Sequence, residues 1–63
     1  MRDEEYIAAI NAESERRKYT TPDFPLTAWT GPEVWLQAWR DDPTLTPAEQ
    51  VANEIQYAWE ETD

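Results

Sequence analysis

Five prolines, all between residues 22 and 47, fix where this 63-residue chain can and cannot be helical. Proline fixes φ, lacks a backbone N–H and drives the residue before it away from α conformation. Each one therefore ends a helix or stands in the first turn of the next. Pro22 and Pro25 bracket an extended or turned stretch, Thr21-Pro22-Asp23-Phe24-Pro25. Pro43 stops whatever precedes Asp42, and Pro32 and Pro47 open new segments. The spacing predicts helices over about 3–18, 31–41 and 47–61, with a connector at 19–30. No strand-like alternation of useful length, internal repeat or low-complexity tract interrupts that division. The fold class expected is all-α: one acidic helical domain, residues 1–63, built as a small three-helix mini-domain. The proline-containing connector is expected to pack as a lid between helices one and two, with Phe24, Leu26 and Trp29 folded back over them.

Whether such a chain folds at all is a question of charge against apolar area. Fourteen acidic residues, five basic ones and a mean hydropathy of −0.91 pull toward disorder. Against this stand eight aromatic residues, among them Trp29, Trp35, Trp39 and Trp59, each able to bury about 150–250 Å². A single glycine also makes a poor flexible linker. The balance predicts an ordered but marginal domain, with folding on contact with a partner as the competing outcome. A chain of this size buries only about 60% of the surface its unfolded form exposes.

The predicted first helix aligns Tyr6, Ile7, Ile10 and Ser14 in one arc. Asp3, Glu4 and Glu5 lead it and Arg16, Arg17 and Lys18 close it, as the helix dipole favours, and Glu13 with Arg17 forms an i,i+4 pair. In the second, Thr30 is the expected cap, Pro32 the first-turn residue and Glu33 the capping-box glutamate. Its apolar residues Val34, Trp35, Leu36, Ala38 and Trp39 cover about 200° of arc. Either this helix is sandwiched between the others and the connector, or Trp35 or Trp39 stays exposed as a docking knob or homodimer contact. The third starts on Thr46-Pro47-Ala48-Glu49, where cap, proline and box glutamate fall in register. Ala48, Val51, Ala52, Ile55, Ala58 and Trp59 form a core-facing stripe about 120° wide. Glu49, Gln50, Asn53, Glu54, Glu60 and Glu61 lie opposite, with Tyr57 in their midst as either a tolerated surface aromatic or a contact anchor.

Charge is concentrated behind residue 40. Asp41, Asp42, Glu49, Glu54, Glu60, Glu61 and Asp63 are half of the chain's acids, and no basic residue stands among them. A solvated face is one explanation. Glu60, Glu61 and Asp63, however, crowd a helix C-terminus, where the dipole disfavours anions by about 0.3–1 kcal/mol each. Such placement suits a face kept for a partner.

Several chemistries fall away. With neither histidine nor cysteine, no serine–histidine, cysteine–histidine or histidine acid–base site can form within the chain, and zinc lacks its usual ligands. Carboxylate pairs find no cleft in so small a bundle, and no calcium-loop spacing or glycine-rich phosphate loop is present. No enzyme, catalytic residue, metal or cofactor is expected. Net charge of −9 argues against direct nucleic-acid contact. No membrane span or signal-peptide pattern is read, and a cysteine-free chain suits the cytoplasm.

The leading expectation is a protein-binding module whose acidic face docks on a basic surface of a partner. Its contact residues are Glu49, Asn53, Glu54, Tyr57, Glu60, Glu61, Asp41, Asp42 and Trp39, with Trp29 as a further aromatic anchor. Basic grooves are commonly nucleic-acid sites, so carboxylates spaced along a helix would make the chain an inhibitor or regulator by phosphate mimicry. The alternative is a structural or assembly subunit docking through the second helix's tryptophans, with homodimerisation as one form of it.

Overall fold

The computed structural model describes residues 2–61, with side chains through residue 58. Four helices follow one another: α1 (Asp3–Arg16), α2 (Leu26–Thr30), α3 (Pro32–Asp41) and α4 (Pro47–Glu61). The helical segments expected at 31–41 and 47–61 are α3 and α4. The difference lies in the connector, where five residues form the extra helix α2. Pro25 opens it in an extended conformation, and Gly31 ends it at φ 84°, a backbone angle that L side chains rarely adopt. Asn11 of α1 accepts a hydrogen bond from the Thr27 N–H at 3.1 Å and so holds the new helix against the first.

Helix α1 is the spine, packing against α2, α3 and most extensively α4. Its buried side chains, Tyr6, Ile10 and Ser14, recur every four residues along one stripe. It ends two residues earlier than expected, at a closing turn built on Lys18 with φ 61°. The Lys18 N–H donates to the Glu15 carbonyl and the Tyr19 N–H to the Ser14 carbonyl, the paired bonds of a Schellman cap. Ser14 and Thr20 then share a 2.6 Å hydroxyl–hydroxyl hydrogen bond across the turn. Thr21-Pro22-Asp23-Phe24 reverses the chain, with the Phe24 N–H donating to the Thr21 carbonyl.

The core comprises Tyr6, Ile10, Leu26, Trp35, Leu36 and Val51, with Ile7, Tyr19, Trp39 and Ile55 packed around it. Of the three connector residues expected to fold back, Leu26 is fully buried, whereas Phe24 and Trp29 are 57% and 51% exposed. Their rings gather instead on the surface, Trp29 beside Tyr19 at 6.0 Å and beside Phe24 at 6.4 Å.

Thr30 does not cap α3 with its side chain; that cap position falls to Gly31. The Thr30 hydroxyl is engaged elsewhere, donating to the Leu26 carbonyl and accepting from the Trp35 indole N–H, each at 2.8 Å. This bond lets Trp35 bury its ring without stranding a donor. At α4 the expected cap forms, with the Glu49 N–H donating to Thr46 Oγ1 at 3.2 Å. Gln50, expected on the polar side of that helix, is buried. Its amide donates to Tyr6 Oη and to the Trp35 carbonyl, bridging α4 to α1 and α3. Every buried side-chain polar atom among the described residues has a partner. The radius of gyration, 11.3 Å, matches the roughly 11 Å of a compact domain this long. Among the described residues no helix is long and apolar enough to cross a membrane.

Candidate functional site

Helices α3 and α4 both lie against α1, and their backbones approach each other at few points, joined through the Gln50 amide and the Trp35 carbonyl. The space between them is an open groove of about 430 Å³, within the range of about 300–1,000 Å³ typical of binding sites. Val34, Trp35 and Ala38 line it from α3, Thr30 from the end of α2 and Leu45 from the α3–α4 connection. Gln50, Asn53, Glu54 and Tyr57 line it from α4, at the three- and four-residue spacings that share one helix face. The groove is mostly apolar, and among the described residues Glu54 is the single charged one in its wall.

The residues singled out from sequence divide into two groups. Asn53, Glu54 and Tyr57 come together in the groove, Glu54 partly buried and Tyr57 60% exposed at the rim. Glu49, Asp41 and Asp42 are exposed but lie outside its lining. Asp41 accepts a hydrogen bond from Gln37 at 3.1 Å. Asp42 accepts two from Thr44, N–H at 3.2 Å and hydroxyl at 2.6 Å, which shape the turn leaving α3. Trp39 is partly buried on another side of α3, its ring stacked on Tyr6 with centroids 4.5 Å apart and planes 8° from parallel. Trp35 is buried outright. The side chains of Glu60 and Glu61, Trp59 of the apolar stripe, and Asp63 lie outside the described residues.

Intramolecular ion pairs among the described residues form at both ends of α1, and one of them reaches α3. Glu13 pairs with Arg16 at 2.5 Å and Arg17 at 2.7 Å, and Asp3 pairs with Arg40 at 3.1 Å. Hydrogen bonds from Arg16, then Arg17, hold the Glu13 carboxyl below its ordinary value. Among the described residues, Asp41, Asp42, Glu49 and Glu54 join no ion pair. These carboxylates, like those of Glu4, Glu5, Glu15, Asp23 and Glu33, are left for solvent or a partner.

Six of the described lining residues, Thr30, Val34, Trp35, Ala38, Leu45 and Gln50, are not among the contact residues expected from sequence. Val34 was counted toward the interior but is 63% exposed at the groove, and Leu45 lies in a connection with no periodicity to mark it. The groove itself arises from a loose helix–helix contact, for which a single sequence carries no signal. Comparison with protein families, curated proteins and solved structures finds no match to this chain.

Proposed function

We propose that the chain is a non-catalytic protein-binding module that docks its acidic α3–α4 side on a basic surface of another protein. The observation behind this reading is the uneven placement of charge along the chain, with seven acids and no base in residues 41–63. Asp41, Asp42, Glu49 and Glu54 join no ion pair among the described residues, and Glu54 lines an apolar groove. Complementary potential would steer the encounter, and Tyr57 with the groove's aliphatic wall would supply the apolar contact. A basic groove that otherwise holds nucleic acid is the favoured docking surface, with the carboxylates occupying phosphate positions and the chain acting as inhibitor or regulator. A cysteine-free chain fits such a role in the reducing cytoplasm.

Immobilised chain should capture a basic protein from its host, and added DNA or RNA should compete for it. A variant with Glu49→Gln, Glu54→Gln, Glu60→Gln and Glu61→Gln, helical by circular dichroism, should fail to capture it. Equal capture by that variant would overturn the electrostatic reading.

A second mode is favoured by Phe24 and Trp29. With Trp35 buried and Trp39 stacked on Tyr6, assembly through tryptophan would use Trp29 and its neighbour Phe24. Sedimentation of the purified chain tests it: a dimer dispersed by Trp29→Ala supports this mode, and a monomer at all concentrations removes self-association.

A further inference from the structure

We propose that the α3–α4 groove is a socket for one arginine side chain of the partner, an inference that rests on the protein-binding reading above and names what enters the site. The chemistry of the wall selects the occupant. A purely apolar group filling the groove would leave Glu54, a lining residue that joins no ion pair among the described residues, without a countercharge, and covering an unpaired charge is costly. An anion would meet the same carboxylate and be repelled. A second copy of a chain carrying −9 is disfavoured for the same reason. The occupant must bring a cation to Glu54 and apolar atoms to Val34, Ala38 and Leu45.

Arginine does both. Its methylene stem covers aliphatic surface while the guanidinium stays hydrogen-bonded. The planar fork matches a carboxylate with two parallel N–H···O bonds and can lie over the face of an aromatic ring. Tyr57, one helical turn beyond Asn53 and exposed at the groove, supplies that ring. Lysine has the stem but only a compact, strongly hydrated ammonium, which cannot make the forked contact and stack together. Gln50 does not compete for the incoming group, because its amide already serves Tyr6 and Trp35.

The test titrates the ¹⁵N-labelled full chain with two capped heptapeptides, leucine-flanked and identical except for arginine or lysine at the centre. The arginine peptide should shift the amides of Ala38, Leu45, Asn53 and Tyr57 and bind about threefold to tenfold tighter than the lysine peptide. Glu54→Gln should weaken the arginine peptide, and Tyr57→Leu should erase its advantage over lysine while leaving the helical spectrum intact. Equal affinities, shifts centred on Phe24 and Trp29, or no shifts would each overturn the arginine socket. If salt-sensitive capture of a basic protein survives such a result, only the socket fails. If that capture is lost as well, the parent reading fails with it.

Discussion

Two hydrogen bonds from the Gln50 amide, to Tyr6 Oη and the Trp35 carbonyl, tie α4 to both other long helices inside the core. Leaving a buried partner unsatisfied costs about 1–3 kcal/mol, a large part of the stability of so small a domain. Gln50→Leu is therefore expected to destabilise the chain by about that amount, read from urea or thermal unfolding. Combined with Tyr6→Phe, it should cost less than the two single changes together, because each alone strands the other's partner. Strict additivity would show that the bond contributes nothing. This residue was illegible in the sequence for a plain reason: helical projection assigns an amide to the wet side, and the phenol that satisfies it stands 44 positions away. Tyr6, Ile10 and Val51 could be read correctly, because an apolar side chain needs no named partner to be buried. Val34 shows the limit of that rule, since its helix carries more apolar surface than the neighbouring elements cover.

Elements were legible where their boundaries carry local chemistry. Thr46-Pro47-Ala48-Glu49 announces α4, and its threonine caps as expected because nothing else competes for that hydroxyl. Thr30 offered a similar signal before α3, but the Trp35 indole and the Leu26 carbonyl claim its oxygen. Helix α2 has five residues, too few for a periodic pattern to emerge. The end of α1 was set by a cap that usually employs glycine, here made by Lys18 at φ 61°. Replacing Lys18 by Gly should relieve that backbone strain and raise stability by about 0.5–1 kcal/mol, visible as a higher unfolding midpoint. An unchanged or lower midpoint would contradict the strain argument. The same turn carries a pH dependence. The Glu13 carboxyl is held below its ordinary value of 4.5, so its stabilising effect is complete above that pH and disappears as the pH falls through the lowered value. Glu13→Gln should thus lower the unfolding temperature at neutral pH and make no difference in strong acid. A penalty persisting in acid would assign the effect to packing instead.

On the scale of the whole molecule, the chain separates its charges. Glu13 pairs within α1 and Asp3 with Arg40 of α3, while Asp41, Asp42, Glu49 and Glu54 join no ion pair among the described residues; Glu54 lines a groove between two helices that rest on α1 more than on each other. The all-α class and the acidic C-terminal third could be foreseen from proline placement and charge counts. The groove could not, because it depends on how far apart two helices sit. The central claim is that the α3–α4 side is a recognition surface driven by electrostatic complementarity. Its most direct test is the dissociation constant of the captured complex as a function of salt. Between low salt and about 1 M, where the screening length shrinks to about 3 Å, affinity should fall by at least about tenfold. An affinity that stays flat across that range would contradict the account.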